Sequence, residues 1–205
     1  MIITDIKQNR SNKKFSIFVD EDFVFSITDV DVLYYKLEIG EGISPQKLEK
    51  IKEEVVLAKA KEKASDFISY KQRTEKEVRD KLADEEYTED VIEEVVSVLI
   101  KYKYIDDEKY AENYIKTKSN YGSLRLKYEL KQKGVSAEII SQATQGLDQE
   151  EIIVGLFQKK LKGDLPEDYK EKRKAFEYVI RRGFEYDAVQ DGYERYKEEI
   201  EEQEE

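Results

Sequence analysis

Six basic side chains fall between Lys116 and Lys133: Lys116, Lys118, Arg125, Lys127, Lys131 and Lys133, against the single acid Glu129. That is a net +5 in a chain whose total is −11. Ammonium and guanidinium groups at this density are suited to holding phosphate or carboxylate oxygens, a contact that carries no base identity. A second basic group, Lys170, Lys172, Arg173, Lys174, Arg181 and Arg182, stands against Glu171 and Glu177, a net +4. Tyr121, beside Gly122, offers a ring on which a nucleobase can stack, although packing is the preferred reading of a tyrosine there. The candidate partner- or DNA-contacting residues are Lys116, Lys118, Tyr121, Arg125, Lys127, Lys131, Lys133, Lys172, Arg173, Lys174, Arg181 and Arg182.

Other chemistries are excluded by what is missing. The 205 residues contain no cysteine and no histidine. Disulfides, thiol nucleophiles, imidazole bases and zinc sites built on those ligands are therefore ruled out. There is no G-x-x-x-x-G-K phosphate loop, and Gly40-Glu41-Gly42 meets Pro45 where a dinucleotide fingerprint needs its third glycine, so it is a turn. Carboxylates abound and are able to hold Mg²⁺ or move protons, but at this acid density solvated helix faces explain them better. No catalytic residue, metal ligand or cofactor is nominated. No apolar run approaches the roughly 18 residues a bilayer span needs. The first residues lack a signal-peptide core, so a cytoplasmic protein without membrane contact is expected, and the Asn9-Arg10-Ser11 sequon is idle.

The elements that must position these cations are mostly helical. Apolar residues are 39% and charged residues 40%, while fifteen tyrosines and eight phenylalanines argue against disorder. Elongated helical arrays have this balance, because each unit buries one stripe and exposes the rest. Residues 1–28 differ: Ile2-Ile3, Phe15 to Val19 and Phe23 to Ile27 are β-type runs, with Asp20-Glu21-Asp22 as a tight hairpin connection. Phe15, Ile17 and Val19 alternate with Ser16 and Phe18, which predicts a half-buried strand in a small antiparallel sheet. A short helix carrying Val32, Leu33 and Tyr35 to Leu37 precedes the turn at Gly40. Ser44-Pro45 opens the next helix. Its stripe of Leu48, Ile51 and Val55 passes to Ala60, Ala64, Phe67 and Ile68, in one helix or in two with a bend near Val56-Leu57.

Beyond that point the chain repeats. Shifted by 48 residues, Leu82 falls on Leu130, Tyr87 on Val135, Val91-Ile92 on Ile139-Ile140 and Leu99 on Leu147. Shifted by 49, Leu130 falls on Val179, Gly134-Val135 on Gly183-Phe184 and Ile139-Ile140 on Ala188-Val189. Three copies of a three-helix unit follow from this. Thr74-x-x-Glu77 forms a capping box, Thr88 and Ser136 cap third helices, and Asp148-x-x-Glu151 opens the last copy in the same way. Val91, Val95, Val98 and Tyr102 give one broad stripe. Tyr110, Ala111, Tyr114 and Ile115 give another, behind Asp106 and Asp107 as caps. The acidic end, EEIEEQEE, is expected to fray. The predicted architecture is mainly α: tandem three-helix repeats in an elongated curved array with a small N-terminal antiparallel sheet. Its parts are residues 1–43, strands plus a short helix; 44–105, a lead-in helix and the first repeat; 106–147, the second; and 148–205, the third.

The order of these segments resembles the RecX family, bacterial regulators of the RecA recombinase, in its longer Gram-positive type. The resemblance runs over nearly the whole chain. It is carried by Ala64 to Phe67, by Arg73 to Val78 with Leu82, and by Ile105-Asp106-Asp107 with Tyr110-Ala111. Gly122 to Leu126, Glu129-Leu130 and Lys133-Gly134-Val135 complete it, and the third repeat matches least. Arg73, Glu77, Leu82, Asp106, Asp107, Tyr110, Ala111, Gly122, Leu130 and Gly134 are the motif positions. Thr74 and Val78 depart mildly, where serine and leucine are usual. The resemblance implies a non-enzymatic monomer acting in DNA repair, the SOS response and homologous recombination. It also implies an array lying in the groove of the RecA–single-stranded-DNA filament, with inhibition of strand exchange and of the filament's ATP hydrolysis. A net charge of −11 favours contact with the filament and only weak contact with naked single-stranded DNA. The competing reading is a helical-repeat nucleic-acid-binding protein acting without RecA, since three-helix units resemble helix-turn-helix modules. A pure protein adaptor is the third.

Overall fold

The computed structural model describes residues 1–9 and 13–204, so Arg10 and Ser11 of the sequon lie outside it. The chain divides into two compact units, Met1–Asp106 and Asp107–Glu205.

In the first unit, β1 (Ile3–Gln8), β2 (Phe15–Val19) and β3 (Asp22–Ile27) form an antiparallel sheet in that order. Asp20 and Glu21 turn the β2–β3 hairpin with φ of 49° and 74°, the left-handed pair a two-residue connection requires. The expected alternation along β2 is broken. Ser16 is buried, donating to Asn9 Oδ1 at 2.8 Å and lying 3.0 Å from the Ser26 hydroxyl, while Phe18 is only half-buried. A register shift between Ile17 and Phe18 re-aims the side chains.

Helix α1 (Asp29–Tyr34) is closed by a Thr28–Asp31 capping box. It buries Leu33 far less than expected, at 76% exposure; Val32 and the following Leu37 turn inward instead. The turn at Gly40 lies against β1, where Gly40 N–H donates to Ile3 O at 2.8 Å and Ile3 N–H to Glu41 O at 3.0 Å.

Helix α2 (Pro45–Ile51), capped by Ser44, passes through a π-helical stretch (Lys52–Leu57) into α3 (Ala58–Ser69) without a break. The widened turn falls where sequence periodicity became ambiguous. The consecutive Val55, Val56 and Leu57 in this stretch are all buried. Helices α4 (Glu75–Asp84) and α5 (Glu89–Lys101) complete the first repeat. Thr74 is fully buried and its box with Glu77 is formed. Thr88 stands at the start of α5, but its side chain makes no capping hydrogen bond. Tyr102, expected in the stripe, is 63% exposed because α5 has ended at Lys101.

The second unit holds α6 (Asp107–Thr117), α7 (Ser123–Gln132) and α8 (Ala137–Thr144), then α9 (Glu150–Leu161), α10 (Tyr169–Ile180) and α11 (Tyr186–Glu204). Ser136 caps α8 as expected. Asp148 does not form a box with Glu151. Its carboxylate accepts from Glu150 N–H at 3.1 Å, and Gln149 is the residue that precedes α9. The acidic end is helical through Glu204 rather than frayed, because Ile200 packs into the third repeat's core and Lys197 pairs with Glu201 one turn on.

The repeat is visible in backbone as well as in side chains. Leu82, Leu130 and Val179 are each fully buried on the second helix of their copy. Four residues later the chain turns left-handed in all three, at Glu86 (φ 64°), Gly134 (84°) and Gly183 (83°).

Candidate partner-binding surface

Helix α7 begins where α10 ends. Gly122 N–H donates to Arg182 O at 2.8 Å and Leu124 N–H to Gly183 O at 3.1 Å. Ser123 N–H between them donates to the Gln149 side-chain oxygen at 3.0 Å. Three of the donors that a helix start leaves orphaned are thus satisfied by the third repeat, and the positive end of α7 meets the carbonyl end of α10. The approach leaves no room for side chains. A Cβ on Gly122 would lie 2.2 Å from Gly183 O, and one on Gly183 would lie 2.4 Å from Arg125 Cβ.

This joint brings cations of two repeats together. The Arg125 guanidinium lies 3.8 Å from the Tyr121 ring centroid, and Lys118 Nζ lies 5.4 Å from the same ring. Across the joint, Arg182 stacks on Tyr178 at 3.6 Å, and Lys160 Nζ approaches that ring at 5.6 Å. Ser119, Asn120, Tyr121, Lys159, Tyr178 and Arg182 line one open cleft. A second, lined by Lys160, Lys174, Glu177, Tyr178, Arg181 and Arg182, shares Tyr178 and Arg182 with the first. Guanidinium groups held flat on rings have already lost much of their rotamer freedom, which lowers the cost of presenting their donors to an anion.

Glu129, the one acid of the basic stretch, serves this arrangement. It accepts from Arg125 Nε at 2.8 Å and from the Tyr114 hydroxyl at 2.5 Å. The Tyr114 hydrogen bond, with Arg125 beside it, outweighs desolvation and holds the Glu129 carboxyl below its ordinary range. Burial and the same carboxylate push the Tyr114 phenol up. Glu129 therefore stays charged and fixes Arg125 on Tyr121.

The other nominated residues lie apart from the joint. Lys127 and Lys131 are exposed on the outer face of α7 with Leu124 and Tyr128, and Lys116 is exposed on α6. Lys133 reaches the Tyr110 ring at 5.9 Å, at the far end of α7. Lys172 is laid over Tyr193 at 4.2 Å, on a different side of α10, and Arg173 pairs with Glu177 at 2.9 Å. Lys159, Lys160 and Tyr178 were not nominated from sequence. The Lys159-Lys160 pair was legible, but it ends a helix recognised only by its apolar stripe.

Most motif positions hold the fold. Arg73 covers the Phe67 ring at 3.8 Å, Glu77 closes the Thr74 box, and Leu82, Ala111 and Leu130 are fully buried. Asp106 pairs with Lys103 at 3.3 Å, Asp107 starts α6, and Tyr110 stacks on Tyr114 at 6.1 Å. Gly134 supplies a left-handed turn. Gly122 does not: its φ is −73°, and closeness to Gly183 is what requires it. Among the described residues no acidic cluster is arranged to hold a metal, and no helix is long and apolar enough to cross a membrane.

Fold and site together define a mainly helical repeat protein with a small sheet and exposed cationic side chains. Family models place it further. The regulatory protein RecX N-terminal domain matches residues 1–44, and the first, second and third three-helix domains of RecX match residues 60–99, 106–143 and 148–191. The chain is 31% identical over 191 residues to regulatory protein RecX of Clostridium botulinum, covering 90% of each. It is 34% identical over 184 residues to that of Clostridium beijerinckii, covering 86% of each. The crystal structure of RecX from Lactobacillus salivarius superposes with a TM-score of 0.62 at 28% identity, over 69% of this chain and 96% of that one. A second crystal structure, of regulatory protein RecX, matches in fold with a TM-score of 0.62 at 23% identity, over 96% of this chain and 98% of that one. The chain belongs to the RecX family of regulatory proteins.

Proposed function

We propose that this protein binds the RecA–single-stranded-DNA filament as a monomer and restrains its recombinase and ATPase activity by obstruction, without catalysis of its own. The observation that carries this reading is that one arginine of each basic group, Arg125 and Arg182, is held on a tyrosine ring beside the α7–α10 joint. Cations from two repeats, fixed on rings and joined through backbone, make a preformed anion-binding surface on a regulatory fold. Contacts of this kind to phosphates add salt dependence without sequence preference. A chain charge of −11 works against naked DNA, so the filament is the favoured target.

The test is affinity for fluorescein-labelled single-stranded DNA, naked and RecA-coated, at physiological salt. At least tenfold tighter binding to the coated strand is expected. Tight binding that does not depend on RecA would replace this reading with that of a general nucleic-acid-binding protein.

A further inference from the structure

Helix α9 carries a glycine well inside its length, where a helix is weakened by one. Gly155 is the sixth of twelve residues, and glycine gives up more chain freedom there than any other residue. Neither backbone nor packing demands it. Its φ is not positive, and a Cβ built on it meets nothing within 4 Å. Gly122 and Gly192 differ, since their Cβ atoms would strike Gly183 O at 2.2 Å and Ile153 Cγ2 at 2.5 Å. What the missing side chain of Gly155 leaves is room in the cleft that Tyr121 and Tyr178 line.

That cleft encloses about 430 Å³, within the range of small-ligand pockets. Ile152, Gly155, Leu156 and Lys159, spaced three and four apart, are the face of α9 turned to it. Tyr121 comes from the loop before α7 and Tyr178 from α10, both half-buried, with Ser119 and Asn120 exposed beside them. Its charge has one sign: Lys159 and Arg182 line it, and no carboxylate does. The adjoining cleft shares Tyr178 and Arg182 and adds Lys160, Lys174 and Arg181. Its one acid, Glu177, is engaged by Arg173 at 2.9 Å and by Arg181 at 3.7 Å. A cationic track therefore leads away from an apolar, ring-lined space. A protein carboxylate would use the cations and leave that space empty. A nucleobase with its phosphates uses both, and the continuing track suits a strand better than a free mononucleotide.

We propose that the cleft opened by Gly155 receives one unpaired base of a single strand. The base lies on Ile152 and Leu156 beside Tyr121 and Tyr178, and the phosphates flanking it follow Lys159 and Arg182 toward Lys160, Lys174 and Arg181. The cations draw in a polyanion, and the cleft admits only one whose bases are free. This rests on the polyanion contact proposed above and deepens it; it does not rest on RecA.

The test titrates fluorescein-labelled oligo(dT), and an abasic oligomer of the same length and charge, at low salt without RecA. The parent should bind oligo(dT) at least tenfold more tightly. Gly155→Leu fills the cleft with a good helix former, and should fold with an unchanged or higher thermal midpoint while its oligo(dT) affinity falls to within twofold of the abasic value. Gly155→Gln, polar and equally suited to a helix, gives the same reading should the leucine variant not fold. Arg181→Glu/Arg182→Glu should weaken both ligands. Equal affinity of the parent for the two oligomers, no binding of either, or a preference that survives filling the cleft overturns the proposal. Displacement of oligo(dT) by equimolar dTMP overturns the strand as ligand in favour of a free nucleotide. Inhibition of RecA by a parent that ignores bases fails this inference alone, and a base preference without any effect on RecA fails the function reading alone.

Discussion

Replacing Gly122 by alanine should be far more damaging than a single methyl group suggests. The added Cβ would sit 2.2 Å from Gly183 O, 2.3 Å from Gly183 C and 2.4 Å from Phe184 N, all backbone atoms that no rotamer change can move. Relief requires α7 to draw back from the α10 turn. That lengthens the Gly122–Arg182 and Leu124–Gly183 hydrogen bonds of 2.8 and 3.1 Å and pulls Ser123 from Gln149. Two or three bonds each contributing about 0.5–1.5 kcal/mol give an expected loss of about 1–4.5 kcal/mol. Because φ at Gly122 is −73°, alanine is conformationally acceptable and would return about 0.4–1 kcal/mol through the unfolded chain. The steric term wins. Urea unfolding followed by circular dichroism should show this loss, and thermal unfolding a midpoint lower by roughly 2–18 °C for a chain of this length. The matched control is Gly155→Ala, inside α9 with open space where the Cβ would point, which should stabilise by about 0.5–1 kcal/mol. Gly122→Ala behaving like Gly155→Ala would refute the close approach of the two backbones.

Thr74→Ala removes a buried hydroxyl that accepts from Glu77 N–H, and should cost about 1 kcal/mol in urea unfolding. Stability should also depend on pH at both extremes. Glu85, held low chiefly by its hydrogen bond from Lys81 against desolvation, with Lys63 and Lys14 beside it, favours the folded state only while ionised. The unfolding midpoint should therefore fall as pH drops below about 4.5 through the lowered folded value, and Asp90, held low first by Lys52, adds to this limb. Tyr87, pushed by burial to about 12, stays neutral in the folded chain while the unfolded phenol ionises near 10, so stability should decline from pH 10 to about 12. Absorbance at 295 nm checks that titration. Finally, Arg125→Glu/Lys127→Glu/Lys131→Glu should weaken filament inhibition at least tenfold with the fold intact; unchanged inhibition would mark the protein as an adaptor that does not use these cations.

Much of this molecule was legible because its signals are local. The burial of Leu82, Leu130 and Val179 follows from helical spacing, and the Thr74 and Ser136 caps follow from residue type and position. The π stretch was not, since consecutive Val55, Val56 and Leu57 fit no single period. Nor was the Ser16 inversion, which depends on a register shift and on Asn9 and Ser26 meeting it across the sheet. At the candidate surface the basic residues were countable, but their sorting was hidden. Nothing local announces that Gly122 and Gly183, 61 positions apart in the chain, would touch and so bring Arg125 beside the turn that follows α10 while leaving Lys133 and Lys172 elsewhere. The glycines carried the signal. One of them was readable as a turn, but the other's purpose lay wholly in its distant neighbour.

The most direct measurement of the central claim is ATP hydrolysis by RecA on single-stranded DNA, followed while this protein is titrated in. Obstruction of the filament predicts a saturable fall in rate at protein concentrations below those at which naked strand is bound. Hydrolysis that proceeds at the same rate at every concentration would contradict it.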